Sequence, residues 1–225
     1  MTTGDIGAVI MAAGAGRRMG GKPKALLLRD GVPLIERHLR ALTQAGIRQA
    51  VVVLGHHAGR IEPLLRELQA SLAEVLELRW ALNPRPDDGP GSSLRVGLAA
   101  LPGELGAVLV SLADQPLIEA ADVNAVLRAW QGRGAGVQLV VPSHDGQPGH
   151  PLVLDSGVRA EIMKMTGAAG LRDWRKAHAA QVATLAADHA RYTLDVDSEV
   201  DRAALKARYG IALTWPEGLA GSFAQ

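Results

Sequence analysis

Residues 9–28 read VIMAAGAGRRMGGKPKALLL, an apolar run that breaks into Gly14, Gly16 and Gly20, with Arg17, Arg18, Lys22 and Lys24 close behind. A strand running into a glycine loop belongs to open α/β sheets, where ligands sit beyond the carboxyl ends of the strands. Three readings compete: a dinucleotide fingerprint, a cradle for a triphosphate, and a solvated turn. The fingerprint fails on spacing, because one residue too many precedes Gly20. It also fails on context: Pro23 interrupts the helix that should follow at once, and the second apolar run ends LGHH, without an acid for a ribose. No Gly-Lys-Ser/Thr follows at Walker A spacing. What remains is a loop whose amides can point at phosphate oxygens, with Arg18 and Lys24 supplying charge that amides alone cannot. Glycines, cations and a preceding strand together favour a triphosphate over an idle basic turn.

Outward from this loop, further short β-rich runs stand at 49–55 (QAVVVLG), 75–82 (VLELRWAL), 107–113 (AVLVSLA), 138–142 (QLVVP) and 150–155 (HPLVLD). Between them lie helical patterns: in PLIERHLRALTQAG the apolar Leu34, Ile35, Leu39 and Leu42 share a face, Pro33 suits a first turn and Gly46 a stop. RIEPLLRELQASL and ADVNAVLRAWQG behave likewise. Strand and helix alternate as far as residue 140, which predicts a Rossmann-like three-layer α/β fold with helices on both faces. Beyond residue 142, the turn signals Asp145-Gly146 and Pro148-Gly149 predict a hairpin-like excursion, so the sheet is expected to be mixed but mostly parallel. The tail 211–225 shows no period and is expected to wrap the surface or fray. Trp174, in LRDWRKAH, is expected to pack its helix onto the core.

The chain has 225 residues, 48% of them hydrophobic, enough for one domain with a full core. Lys plus Arg number 24 against 23 Asp plus Glu, so nothing draws it in bulk to nucleic acid or an anionic membrane. Aromatics at 3% are too few for base-stacking platforms. The absence of cysteine excludes disulfides, thiolate catalysis and cysteine-held metals. MTTGDIGAVIM lacks a signal-peptide pattern, and no run of about 18 apolar residues occurs, so a cytoplasmic setting is expected.

Asp114 ends the run AVLVSLAD, where a carboxylate facing the glycine loop can hold Mg²⁺ against an α-phosphate; the competing role is to cap a helix near 119. Asp195 and Asp197 alternate in a strand-like run and point to one face, closing on the same ion. Ser92 and Ser93 follow Gly89 and Gly91 at a helix start and read as caps. His150 is held between Gly149 and Pro151 on the excursion. His56-His57 reads as a strand end or interface, since adjacent residues rarely chelate together.

MAAGAGRRMGGKPKALL resembles the signature of the nucleotidyltransferases related to molybdenum cofactor biosynthesis, the MobA-like NTP transferases. The likeness extends through NPRPDDGPGSSLRVGLAAL (83–101), VSLADQPL (110–117), GHPLVL (149–154) and LDVDSEVD (194–201). Departures are Met11 in place of Leu, one extra residue before the Pro-Lys pair, and Glu199 where a proline is usual. The resemblance implies a GT-A-like fold, with a nucleotide-binding half over about 1–115 and an acceptor-binding half over about 116–210. It implies a cytidylyltransferase: Ala12-Ala13-Gly14 matches the cytidine-preferring variant of the motif. Arg18 and Lys24, the latter preferred to Lys22, would meet the phosphates. Ser92 and Ser93 would lie near base or ribose, Asp114 and Asp197 would hold the metal, and Gly149, His150 and Pro151 would line the acceptor site. The reaction implied is transfer of CMP from CTP to the phosphate of molybdopterin, with a molybdenum enzyme or its chaperone as recipient. Guanylyl or other nucleotidyl transfer to a different phosphorylated acceptor, a nicotinamide-dependent oxidoreductase, and a non-catalytic nucleotide sensor stay open as alternatives.

Overall fold

A computed structural model describes residues 5–220. The chain opens with β1 (Ile6–Ala12), short strands β2 (Leu28–Arg29) and β3 (Val32–Pro33), and helix α1 (Leu34–Gln44). It continues through β4 (Gln49–Leu54), α2 (Ala58–Leu72), β5 (Glu77–Leu82), α3 (Pro90–Ala100), β6 (Ala107–Leu112) and α4 (Ala120–Gln131). The second half holds β7 (Leu139–His144), β8 (Gln147–Pro148), β9 (Leu152–Asp155), α5 (Ser156–Lys164), α6 (Leu171–Ala177), β10 (Val182–Ala186), α7 (Glu199–Tyr209) and β11 (Leu213–Thr214).

The main sheet has the order β10-β7-β9-β6-β1-β4-β5, with β8 appended to β7. β1 lies parallel between β4 and β6, whereas β9 runs antiparallel to both β6 and β7. The mixed, mostly parallel sheet is as the sequence predicts, and the Asp145-Gly146 turn joins β7 to β8 in a hairpin. Alternation along β1 sorts the core. Ala8 and Ile10 face α1, α2 and α4 through Leu39, Leu65 and Trp130, while Val9 faces α3 and α5 through Leu98 and Ile162. Helices therefore cover both faces, and the central strands are apolar on both sides.

Because β1 connects by α1 toward β4 on one side and β5 connects by α3 to β6 on the other, the order of strands reverses beside β1. A crevice opens there, at the carboxyl ends of β1 and β6. A third cluster fills the space beneath it: Met19 and Leu27 from the glycine loop pack with Leu117, Val196, Leu205 and Leu213.

Two expectations need correction. The tail does not simply wrap the surface: Leu213–Thr214 pairs with Leu28–Arg29 in a three-stranded sheet, β11-β2-β3, because Leu213 reaches the apolar cluster under the site. Residues 221–225 of that tail lie outside the described residues. The run 194–198 is not a strand; it is irregular and leads into the cap of α7, so Asp195 and Asp197 are not placed by pleat alternation. Trp174 packs as expected, 1% exposed. Among the described residues, no helix is long and apolar enough to cross a membrane.

Candidate active site

The loop after β1 is pinned at a few points, which leaves its cations projecting. Gly16 takes φ 61°, and a Cβ there would meet the Lys22 carbonyl at 2.0 Å, so the turn tolerates only glycine. Its carbonyl accepts from Met19 N at 2.8 Å and Gly21 N at 3.0 Å. Met19 is 2% exposed and anchors the loop in the third cluster. From the turn between β4 and α2, His57 Nε2 donates to the Ala15 carbonyl at 2.9 Å. His57 thus braces the glycine loop, while His56 Nε2 lies 3.3 Å from Asp87.

Lys24, in the short turn after Pro23, reaches the acidic side of the crevice. Its ammonium donates to Asp114 and, at 2.6 Å, to Asp197 Oδ1. Arg18 donates to Asp197 Oδ2, also at 2.6 Å. Burial alone would lower the Lys24 pKa, but Asp114 and Asp197 outweigh it and hold the ammonium above its ordinary value. Partial burial opposes ionisation of Asp197, and Lys24 with Arg18 overcomes it, so this carboxyl lies below its usual range. Asp195 behaves oppositely: desolvation, then the charges of Asp114 and Asp197, push it up. The structure brings Lys24, not Lys22, to the carboxylates; Lys22 Nζ sits 5.3 Å from the Trp215 ring.

The acids are held from behind. Val196 N donates to the Asp114 carbonyl at 3.1 Å, and Ala113 N donates to the Met11 carbonyl at 3.1 Å. Asp197 N donates to Asp201 Oδ2 at 3.0 Å, and Ser198 caps α7 through Asp201 N. Gln115, 3% exposed, donates to the Tyr192 carbonyl at 2.7 Å. The Gln115 main-chain carbonyl accepts from His38 Nε2 at 3.0 Å. His38 is neutral, its pKa lowered to about 4 chiefly by burial. Asp114 does not cap the helix near 119, since Glu119 and Asp122 perform that role.

Two carboxylates converging on one ammonium are hard oxygen donors of the kind that hold a divalent cation with few protein ligands, the rest of its shell being water and phosphate. The Lys24 ammonium marks where positive charge is stable between them. Among the described residues, no three His, Asp or Glu side chains gather into a ready-made chelate.

On the far side of β1, α3 starts at Pro90, so Ser92 and Ser93 lie inside its first turn and are not its caps. Asn83, 3% exposed at the end of β5, donates to both hydroxyls at 2.9 Å. Over this turn runs the loop 167–170. Gly91 is in such close approach that a Cβ would meet the Ala169 carbonyl at 2.2 Å. Arg95 grips the loop through the carbonyls of Ala169 at 2.7 Å and Gly167 at 2.6 Å. Asn83 and Arg95 escaped the sequence reading, because a lone Asn and a helical Arg carry no spacing signal.

Beneath the loop lies a cavity of about 1150 Å³ whose wall includes Gly149 and His150. Gly149 N donates to the Pro142 carbonyl and His150 N to the Tyr192 carbonyl, both at 2.8 Å, and Pro151 is buried behind them. The His150 imidazole is held neutral, its pKa lowered to about 4 by desolvation and then by the Arg175 charge. Met11 lines this cavity and also a smaller one of about 60 Å³ shared with Ala12, Gly14, Lys24 and Asp114. Ala13 is buried, 7% exposed.

Residues 8–207 match the family model described as the MobA-like NTP transferase domain. The chain belongs to the MobA-like NTP transferase family. It is therefore one of the nucleotidyltransferases, as the resemblance implied. Among curated relatives of this MobA-like chain, the "Bifunctional protein GlmU" of Mycobacterium ulcerans (strain Agy99) is 32% identical over 181 residues, 78% of this chain and 36% of that protein. The chain spans about a third of the length of such relatives. Among solved structures, Rv0371c from Mycobacterium tuberculosis H37Rv superposes with a TM-score of 0.69 at 26% identity, over 89% of this chain and 97% of that one. Mth528, a nucleotidyl transferase from Methanothermobacter thermautotroptrophicus, shares the fold, with a TM-score of 0.67 at 22% identity over 90% and 96%.

Proposed function

We propose that this MobA-like transferase moves CMP from CTP to the phosphate of a molybdopterin-type acceptor, releasing pyrophosphate. The observation that carries the reading is the junction of Lys24, Asp114 and Asp197, which lie 90 and 173 residues from Lys24 yet meet on one ammonium. It stands beside the glycine loop and adjoins the large cavity at Met11.

In this reading an oxygen of the acceptor phosphate attacks the α-phosphorus in line, a new P–O–P link forms, and the bond to the β-phosphate breaks with its electrons leaving on pyrophosphate. Gly14 and Gly16 amides and the Arg18 side chain cradle the triphosphate. Lys24 turns its ammonium from the carboxylates to the phosphates as these arrive, neutralising charge that builds on the leaving group. Asp114 and Asp197, freed of that ammonium, would hold Mg²⁺, which would supply Lewis-acid polarisation of the α-phosphate; Rv0371c from Mycobacterium tuberculosis H37Rv, of the same fold, has been solved as a complex with manganese. No side chain acts as nucleophile, so the chain's contribution is positioning and charge. Ala12, Ala13 and the hydroxyls of Ser92 and Ser93, set by Asn83, serve the cytidine and ribose. Gly149, His150 and Pro151 serve the acceptor. The nucleotide is the charge of residues 1–115 and the acceptor mainly that of 116–210, in a cytoplasmic setting, with hand-over to a molybdenum enzyme or its chaperone.

A second reading keeps the machinery and takes a sugar phosphate as acceptor. The cavity lining is mixed: Met11, Leu94, Val110, Leu112, Leu139 and Leu152 present carbon to the face of a ring, while Gln147, His150 and Asp173 offer polar partners to the edge of a pterin or to the hydroxyls of a polyol. Titration calorimetry with CTP, GTP, ATP and UTP in Mg²⁺, followed by pyrophosphate release on molybdopterin, tests both halves. CTP should bind tightest; a preference for GTP overturns the cytidine assignment, and no release with molybdopterin overturns the acceptor.

A further inference from the structure

Helix α6 presents Arg172, Arg175 and Lys176 to the rim of the large cavity. Spacings of three and four place them on one side of the helix, while Trp174 turns into the core. Several cations nearer the glycine loop and on the outer helices meet a carboxylate, Arg17, Arg18, Arg29, Arg40, Arg66 and Arg79 among them. Among the described residues, none of the three on α6 makes an ion pair. The intervening acid, Asp173, accepts from Gly170 N at 2.9 Å in closing the first turn of the helix. Three like charges on one face repel one another and cost stability unless a counter-charge arrives.

The scaffold under these cations is fixed. Trp174 is buried and its Nε1 donates to Glu161 at 2.5 Å, its ring stacks on His178 with centroids 4.5 Å apart, and Arg95 ties down the loop leading into the helix. A rigid platform thus holds unmatched cations over a cavity lined partly by carbon. The reacting phosphate belongs where Met11 joins the cavity to the pocket of Lys24 and Asp114, two residues that do not line the large cavity themselves.

We infer that Arg172, Arg175 and Lys176 form a subsite for a second anionic group of the acceptor, separate from the Lys24 and Asp114 pocket where its phosphate reacts. The acceptor class is then a ring compound with an apolar face for Met11, Leu94 and Leu152, bearing a phosphate and a second negative charge. This rests on the acceptor occupying the large cavity, as the proposed function has it. The Arg175 charge already reaches the cavity wall, since it depresses His150.

The test uses the whole chain and two fluorescent probes of one shape: anilinonaphthalene sulfonate, which is anionic, and uncharged phenylnaphthylamine. The sulfonate should bind one site per chain and weaken by about tenfold or more in Arg175→Gln/Lys176→Gln, while the neutral probe keeps its affinity. Arg175→Lys/Lys176→Arg, which preserves the charge, should restore sulfonate binding. Wild-type sulfonate affinity in the Gln double variant would overturn the inference, and so would equal weakening of both probes, which would mean a displaced helix. CTP–Mg²⁺ affinity is measured on the same proteins. If wild type binds no nucleotide, the proposed function falls while the probe result still decides the subsite.

Discussion

The backbone amide of Val196 donates to the carbonyl of Asp114 at 3.1 Å. That bond stitches the loop after β6 to the loop before α7, and it sets Asp197 beside Asp114 within reach of one ammonium. The acidic half of the site is therefore a backbone construction, and its side chains can be removed singly without unpicking it.

Asp114→Ala should keep the fold, because Val196 bonds the main chain and Lys24 retains Asp197. Pyrophosphate release should fall by about 100-fold or more, the scale on which loss of an electrostatic partner of the transition state is felt. Circular dichroism checks the fold and a coupled assay the rate. Near-normal, metal-dependent release would show that Asp114 does not hold the ion.

Lys24→Ala and Lys22→Ala should separate. Without Lys24 the two carboxylates lose their internal counter-charge, so Mg²⁺ alone should bind more tightly than to wild type while nucleotide transfer drops sharply. Lys22→Ala removes only a contact over Trp215 and should leave both measurements near wild type. Calorimetry with MgCl₂ and an assay of turnover read the pair. Equal loss in the two variants would point to a shared phosphate role.

Gly91→Ala puts a methyl group where the Ala169 carbonyl lies 2.2 Å from the Cβ position, so loop and helix must part. Overpacking of this kind costs about 1–3 kcal/mol. For a chain of this size that lowers the melting temperature by roughly 2–4 °C per kcal/mol. Limited proteolysis should find new cleavage near 165–170, and an unchanged melting curve with no new cleavage would show that the loop is not pressed on α3.

His38 is neutral in the fold, with its pKa lowered from 6.5 to about 4. The unfolded chain takes up the proton first as pH falls, so stability is fully present above pH 6.5 and is lost progressively down to about 4. The shift is worth about 3 kcal/mol at most. His150 moves in the same direction and adds to the slope. Urea midpoints between those pH values should flatten in His38→Gln relative to wild type; an identical slope would mean His38 titrates normally.

Sequence alone determined the layers of this protein and the first half of its site. Apolar runs of strand length, amphipathic spans between them and the Gly14–Gly20 loop dictate a mostly parallel sheet with a crevice at the end of β1, because period and turn chemistry are local properties. The cations Arg18 and Lys24 stand out for the same reason. What lies beyond local pattern was decided by tertiary structure. Residue alternation predicts Asp197 on a strand, whereas it sits on an irregular run and is set beside Asp114 by a main-chain bond between loops and by the Ser198–Asp201 cap. Ser92 and Ser93 looked like caps until Asn83, distant from the helix start in pattern but adjacent in space, claimed their hydroxyls. The tail had no period to read, since a two-residue strand is set by its partner β2 and by the apolar hole that Leu213 fills. Which of Lys22 and Lys24 meets the acids was likewise settled by folding: the turn after Pro23 aims one ammonium into the crevice and leaves the other over Trp215, a difference of direction that composition cannot encode.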